Sequence, residues 1–171
     1  MFVFSIVLAA ALIVIDQIIK FAVNSSIKLY DVIEVIKFGD TKIFSLTHIR
    51  NAGAAWSMME GKTWFLIALP IVVCVLGLVY MYRIRRGPKL ELISIALIIA
   101  GGVGNLIDRI RLHEVIDYIK FEPVNFPIFN FADICVVVGA VTFCLSIIIS
   151  DAKKAKAEKS EKSKENTQSD E

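Results

Sequence analysis

The chain has 171 residues, of which 56% are hydrophobic and 21% are charged, with a formal net charge of +2 at pH 7. The length suits a single domain, but soluble domains contain only about 45–50% apolar residues. This composition excludes an ordinary soluble domain and indicates a membrane protein.

Four apolar segments are long enough to cross the hydrocarbon core of a bilayer, which takes about 20 helical residues. These predicted spans are Phe2 to Phe21, Thr63 to Tyr82, Leu90 to Ile110 and Phe131 to Ser150. The first segment has no basic region before it and no small-residue cleavage site after it, so we interpret it as a retained span. We therefore predict an all-α membrane protein with four transmembrane helices.

The connection after the first span, residues 22–62, contains a different pattern. Apolar and polar residues alternate on both sides of Gly39 and Asp40, a pair that is typical of a two-residue hairpin turn. We predict a small β-sheet or hairpin here, lying on the surface of the membrane.

Two clusters of basic residues indicate the orientation of the spans. They are Arg83, Arg85, Arg86 and Lys89 between the second and third spans, and Lys153, Lys154 and Lys156 after the fourth. Because basic residues are enriched in cytoplasmic connections, we predict that both termini are cytoplasmic and that the sheet is extracellular.

Residues 151–171 differ sharply from the rest of the chain. They contain six lysines, six acidic residues and almost no apolar side chains. Such a segment cannot bury enough apolar surface to fold by itself. We therefore predict a membrane domain over residues 1–150 and a disordered, charged cytoplasmic tail over residues 151–171.

The sequence lacks the residue patterns of two common classes of hydrolase. His48 and His113 are isolated, without the His-Glu-x-x-His pattern of zinc hydrolases, and no Gly-x-Ser-x-Gly nucleophile motif occurs. If the chain is an enzyme, carboxylates are the expected catalytic groups, and we expect neither a metal nor a cofactor.

Polar residues from three spans are predicted to lie at one depth. Asp16 is about two-thirds of the way through the first span, and Lys20 follows one turn later on the same helical face. The third and fourth spans add Asn105, Asp108, Arg109, Asn130 and Asp133 near the same height. Because a charge in lipid costs at least about 2.5–3.5 kcal/mol, this agreement indicates a functional cluster.

Several of these residues also have simpler interpretations. Asp16 and Lys20 have the i,i+4 spacing of an ion pair within one helix. Asp133 is in the first turn of the fourth span, behind an Asn130 cap, where a negative charge interacts favourably with the helix dipole. Taken one at a time, these structural interpretations are as good as the functional one.

The remaining charges leave further alternatives open. Asp108 and Arg109 are near a span end, where charged side chains reach the lipid headgroups. Asp117 belongs to an alternating segment and suits the polar face of an interfacial strand. Since intramembrane charges also mark ion and proton pathways, a small transporter or ion-conducting protein is the alternative function.

Five short motifs occur in a fixed order along the chain. They are DQIIK at 16–20, NAGAAWS at 51–57, GNLIDR at 104–109, VIDYIKF at 115–121 and FNFAD at 129–133. In this order they resemble the motifs of bacterial lipoprotein signal peptidase, also called signal peptidase II. One departure is AGGVGN at 100–105, where the family often has Gly-Gly-Ala before Gly-Asn, and it exchanges only small residues.

The resemblance implies a four-span aspartic endopeptidase of the bacterial cytoplasmic membrane. Such an enzyme cleaves the signal peptide of a prolipoprotein just before a cysteine that carries a diacylglyceryl group. By the family patterns, Asp117 and Asp133 would be the catalytic pair. The residues implied to line or support the site are Asp16, Lys20, Asn51, Asn105, Arg109 and Asn130.

The resemblance, together with the predicted depth of these residues, leads to expectations about partners and location. We expect an active site near the outer face of the membrane. The expected partners are a lipidated prolipoprotein and membrane lipid, without nucleic acid, and we expect the protein to act as a monomer.

Overall fold

The computed structural model describes the backbone of residues 1–53 and 63–169, and the side chains of residues 1–53 and 64–152. Within this part the chain forms four long helices. Their bounds are α1 Phe2–Ser26, α2 Thr63–Arg83, α3 Lys89–Leu112 and α4 Phe131–Ser169. Each contains a window long and apolar enough to cross a membrane, so the four predicted spans are confirmed as helices.

α3 is the central helix of the bundle. It packs against α1, α2 and α4, and 50% of its apolar window is buried, compared with 17–22% for the other three helices. Large apolar side chains such as Phe21, Val72 and Val137 instead point away from the bundle. That distribution is expected of a bundle whose outer surface faces lipid.

Glycines allow α3 and α4 to approach closely. A Cβ atom on Gly101 would collide with the backbone oxygen of Ala132, and a Cβ atom on Gly139 would lie 2.8 Å from the backbone oxygen of Ser94. Small residues at such contacts let helix backbones meet, as is common in membrane bundles. The close contact brings the start of α4 against the last turns of α3.

A three-stranded antiparallel sheet accompanies the helices. Its strands are β1 Val32–Phe38, β2 Thr41–Asn51 and β3 Val115–Phe121, in the order β1-β2-β3. The hairpin predicted at Gly39 and Asp40 is confirmed, and Gly39 has a φ of 58°, a left-handed conformation that glycine adopts at little cost. The hairpin is therefore extended by a strand from a distant part of the sequence.

The connections place the sheet at one end of the bundle. β1 follows the end of α1, while β3 joins the end of α3 to the start of α4. All of β1 is exposed, whereas residues 115–118 of β3 are buried. β3 thus contacts both α1 and α3, and it carries Asp117 towards the N-terminus of α4.

Two parts of the sequence interpretation stay predictions. The membrane side of the sheet and of the termini follows only from the basic residues. The backbone of α4 is helical as far as Ser169, so the helix bounds do not separate the membrane domain, residues 1–150, from the charged tail, residues 151–171.

Candidate active site

A cavity of about 500 Å³ lies where β3, the last turns of α3 and the first turns of α4 meet. Five of the eight predicted site residues line it, namely Asn51, Asn105, Arg109, Asp117 and Asp133. The two aspartates that sequence reasoning places sixteen positions apart therefore share one cavity.

Asp117 is only 3% exposed, on the face of β3 that points into the protein. Its Oδ2 accepts a hydrogen bond from Asn51 Nδ2 at 2.8 Å, and its Oδ1 accepts one from Asn130 Nδ2 at 2.7 Å. Burial, together with the smaller effect of the Asp133 charge, raises the pKa of Asp117 to about 6, against the lowering effect of the Asn51 hydrogen bond. The alternative of a solvent-facing polar strand residue is wrong.

Asp133 lies in the first turn of α4 and takes part in a reciprocal cap. Its backbone N–H donates to Asn130 Oδ1 at 3.0 Å, while the Asn130 backbone N–H donates to Asp133 Oδ2 at 3.0 Å. The capping interpretation is confirmed, because these bonds satisfy N–H groups at the helix start. The other carboxyl oxygen, Oδ1, accepts a hydrogen bond from Asn105 Nδ2 at 2.7 Å and faces the cavity region.

Two amides connect the carboxyl groups of Asp117 and Asp133. Asn130 is fully buried, and its Nδ2 donates both to Asp117 Oδ1 and, at 3.1 Å, to Asn105 Oδ1. Since Asn105 Nδ2 donates to Asp133, a continuous chain of hydrogen bonds runs from one carboxyl to the other. Asn130 does not line the cavity, but it holds residues that do.

A buried ion cluster supports this chain from the side of α1. Lys20 Nζ is 3.0 Å from Asp16 Oδ2 and 2.9 Å from Asp108 Oδ2, and it donates to Asn105 Oδ1 at 2.9 Å. The side chains of the three charged residues are 1–3% exposed. The predicted pair of Asp16 and Lys20 is confirmed, but Lys20 is shared with a second carboxylate.

Asp108 corrects one sequence interpretation. A headgroup-facing charge at the end of α3 was expected to be exposed, whereas Asp108 is 2% exposed inside the bundle. Lys20 neutralises it there, and Gln17 Nε2 donates to its Oδ1 at 3.2 Å. The span-end interpretation of Asp108 is therefore wrong. The ion pair with Lys20 on α1 stabilises the Asp108 carboxylate inside the bundle, away from water and headgroups.

Gln17 belongs to the DQIIK motif, but its role at the site was not predicted from the sequence. Its Nε2 lies within hydrogen-bonding distance of Asp16 Oδ2 at 3.2 Å and of the backbone oxygen of Gly104 at 3.1 Å, as well as of Asp108. The available signal was an amide next to an aspartate in an apolar span. Gln17 thus adds a donor between two buried carboxylates.

Arg109 and Asn51 both line the cavity and are linked through the backbone of Gly53. Arg109 Nη2 donates to the backbone oxygen of Gly53 at 3.2 Å, and the Gly53 N–H donates to Asn51 Oδ1 at 2.9 Å. The second bond turns the amide nitrogen of Asn51 towards Asp117. Arg109 lines the cavity. Residues 54–57 of the NAGAAWS motif lie outside the described residues.

One wall of the cavity is apolar and was not foreseen from the sequence. It consists of Val115, Phe126, Pro127, Phe129, Ile134, Val137 and Val138. The last three are also exposed on the outer surface of α4. The cavity therefore reaches the side of the bundle that is expected to face lipid.

Among the described residues, no three His, Cys, Asp or Glu side chains are grouped as metal ligands.

Comparison with known proteins assigns the family. Residues 8–149 match the family model described as signal peptidase (SPase) II. The chain belongs to the signal peptidase II family. The family is one of proteases, so the alternative of a small transporter or ion-conducting protein is not favoured. The matched residues include both aspartates of the cavity and all six predicted supporting residues.

Curated relatives and a solved structure agree with membership of the signal peptidase II family. The chain is 39% identical over 147 residues to a lipoprotein signal peptidase of Lactiplantibacillus plantarum, covering 86% of this chain and 95% of the relative. A lipoprotein signal peptidase of Lactococcus lactis subsp. lactis is 40% identical over 144 residues, covering 84% and 93%. A bacterial membrane enzyme solved by the in meso method at 2.3 Å resolution superposes with a TM-score of 0.80 at 29% identity, covering 88% and 90%.

Proposed function

We propose that this protein is a lipoprotein signal peptidase that acts as an aspartic endopeptidase. It removes the signal peptide of a prolipoprotein just before a cysteine that carries a diacylglyceryl group. The observation that carries the proposal is the pair Asp117 and Asp133, which face one cavity and are joined by two amides. Since one chain supplies both carboxyls, a monomer is sufficient for the reaction.

Hydrolysis of a peptide bond by two carboxyls requires one ionised and one protonated partner. Burial of Asp117, with a pKa raised to about 6, favours it as the partner that holds the proton. The ionised Asp133 takes a proton from the attacking water, while the Asp117 carboxyl donates a hydrogen bond to the scissile carbonyl oxygen. The proton received from water then passes to the leaving amide nitrogen. Because the carboxyls interact, the pair titrates in two macroscopic steps rather than as two independent groups.

Arg109 carries the positive charge needed to stabilise the negative charge that develops during this reaction. Water attack on the carbonyl places negative charge on its oxygen, and a fixed positive group near that oxygen stabilises the transition state. Arg109 lines the same cavity as the two aspartates, and its guanidinium is held by the backbone oxygen of Gly53. We assign Arg109 to electrostatic stabilisation of the tetrahedral intermediate.

The apolar wall of the cavity supports a lipid-bearing substrate. Ile134, Val137 and Val138 belong both to the cavity and to the exposed surface of α4. A substrate whose signal helix and acyl chains lie in the bilayer can enter along such a surface, with its scissile bond reaching Asp117 and Asp133. The names of the curated relatives indicate the same substrate class.

We propose that the protein lies in the bacterial cytoplasmic membrane, with its termini in the cytoplasm and its cavity near the outer face. The support is the exposed basic cluster of Arg83, Arg85, Arg86 and Lys89, at the end of the bundle opposite the sheet. Basic residues are enriched on the cytoplasmic side of membrane proteins.

Cysteine labelling tests this orientation. In a chain with its own cysteines replaced by alanine, Lys42→Cys and Glu122→Cys should react with an impermeant thiol reagent in intact cells. Arg86→Cys should react only after the cells are permeabilised, because it lies at the other end of the bundle. Labelling of Arg86→Cys together with protection of Lys42→Cys would invert the proposed orientation.

Cleavage by the purified protein tests the proposed function. We expect it to shorten a prolipoprotein that carries a diacylglyceryl cysteine, leaving that cysteine at the new N-terminus. The same polypeptide without the lipid should be cleaved at least about tenfold more slowly, because acyl chains supply binding energy used at the scissile bond. Mass spectrometry of both products checks this. Absence of cleavage would contradict the activity, and equal rates would contradict the lipid-bearing substrate.

A further inference from the structure

Each proposed catalytic aspartate directly follows a residue whose backbone N–H is bound by a buried carboxylate. The N–H of Ile116, next to Asp117, donates to Asp108 Oδ2 at 3.3 Å. The N–H of Ala132, next to Asp133, donates to Asp16 Oδ1 at 3.1 Å. One carboxylate therefore holds the strand that carries Asp117, and the other holds the helix that carries Asp133.

Lys20 joins these two carboxylates. Its Nζ is 3.0 Å from Asp16 Oδ2 and 2.9 Å from Asp108 Oδ2, and all three side chains are nearly inaccessible to solvent. Without the lysine, two buried negative charges would repel each other, and each holds a different element of the active site. The position of Lys20 thus fixes β3 and α4 relative to each other.

Lys20 also fixes the orientation of the Asn105 side-chain amide, which is hydrogen-bonded to Asp133. It donates to Asn105 Oδ1 at 2.9 Å, and this bond leaves Asn105 Nδ2 directed at Asp133 Oδ1, 2.7 Å away. A reversed amide would point its oxygen at the carboxylate and repel it. Lys20 therefore sets the orientation of the donor that Asp133 receives.

Gly104 provides the space for this arrangement. A Cβ atom at this position would lie 2.5 Å from Asp16 Oδ2 and 3.2 Å from Ala132 Cβ. The absence of a side chain on Gly104 lets the Asp16 carboxylate pass between α1, α3 and α4 and reach the Ala132 N–H. The contact at the start of α4 is therefore built from three helices.

We propose that Asp16, Lys20 and Asp108 form a positioning triad that sets the separation and orientation of Asp117 and Asp133. The triad does not line the cavity, so it acts on the reaction only through the two aspartates. This inference rests on the proposed aspartic peptidase function. It adds that the geometry of the catalytic pair depends on a salt bridge network outside the cavity.

Lys20→Met is the principal test. We expect kcat to fall about 100-fold with little change in KM, because a displacement of about 1 Å between reacting groups has an effect of that size. When Asp117 and Asp133 are no longer held in place, their carboxyls also interact less. The acidic and basic limbs of the pH profile of kcat should then move closer together. The other charge that faces the pair, Arg109 on α3, is unchanged in this variant.

Two further variants separate positioning from other effects. Met81→Ala, a buried change in α2, should lower stability while kcat and the pH profile stay as in the wild type. In Asp108→Asn, the oxygen that accepts the Ile116 N–H also faces Lys20 but carries no full charge, and the new amide nitrogen takes the position that faces Gln17 Nε2. We therefore expect kcat to fall less than in Lys20→Met, with the same convergence of limbs. This second variant decides the question if Lys20→Met does not fold.

Two results would overturn the proposal. The first is a pH profile shifted as a whole to higher pH with an unchanged maximum kcat, since that result assigns Lys20 a charge effect alone. The second is loss of stability in Lys20→Met or Asp108→Asn with unchanged kcat per folded molecule. Both results leave the proposed function standing, which fails only if the wild type does not cleave the lipidated substrate or if variants of the catalytic aspartates do.

Discussion

Asp117→Asn and Asp133→Asn should each lower the rate of cleavage at least about 1000-fold, and the double variant should be hardly worse than either. Asparagine keeps nearly the shape of aspartate but removes the ionisable group, so insertion and substrate binding should be largely retained. Losing either carboxyl removes the shared proton, which is why the two effects should not add. Initial rates with a lipidated prolipoprotein measure all three variants.

Two further replacements control for the loss of an acidic group as such. Asp40→Asn, in the exposed turn of the hairpin, should retain wild-type activity. Asp108→Asn, outside the cavity, should retain more activity than either catalytic variant. If Asp117→Asn or Asp133→Asn cleaves at close to the wild-type rate, the assignment at that position is wrong, and Asp16 or Asp108 becomes the candidate partner.

Asn130→Ala and Asn130→Ser should both lower cleavage about 100-fold but differ in stability. Neither replacement can supply the amide that joins Asp117 to Asn105. Serine, however, can still accept the Asp133 backbone N–H as a helix cap, whereas alanine cannot. Asn130→Ala should therefore unfold with a free energy lower by about 1 kcal/mol than that of Asn130→Ser.

Thermal unfolding in detergent and initial rates distinguish the two functions of Asn130. If serine restores activity as well as stability, Asn130 acts only as the cap of α4. Equal instability of the two variants would instead show that the cap contributes little, and that the buried amide stabilises the site through its bonds to Asn105 and Asp117.

Much of the fold was predictable because its signals are local. Apolar length alone identified four spans, and alternation around Gly39 identified the hairpin. The i,i+4 spacing of Asp16 and Lys20, and the three-residue spacing of Asn130 and Asp133, also correspond to contacts within one helical segment. The pairing of β3 with β2 was harder to foresee, since its partner is distant in the sequence.

The parts of the site that sequence reasoning missed or left open depend on contacts between elements. Asp108 has a charge typical of a span end, and only Lys20 on another helix explains its burial. Gln17 is part of the DQIIK motif, but only the folded bundle shows that it lies between two carboxylates. Likewise, Val137 and Val138 look like ordinary lipid-facing residues, and the cavity beside them follows from how α4 meets β3.

The most direct measurement of the central claim is the single-turnover rate constant for cleavage before the lipidated cysteine, with enzyme in excess over substrate. This condition removes product release from the comparison, and mass spectrometry identifies the bond that is cut. The account predicts rate constants for Asp117→Asn and Asp133→Asn at least about 1000-fold below that of the wild type, with both variants still binding the substrate. A rate constant within tenfold of the wild type for either purified variant would contradict hydrolysis by this pair of carboxyls.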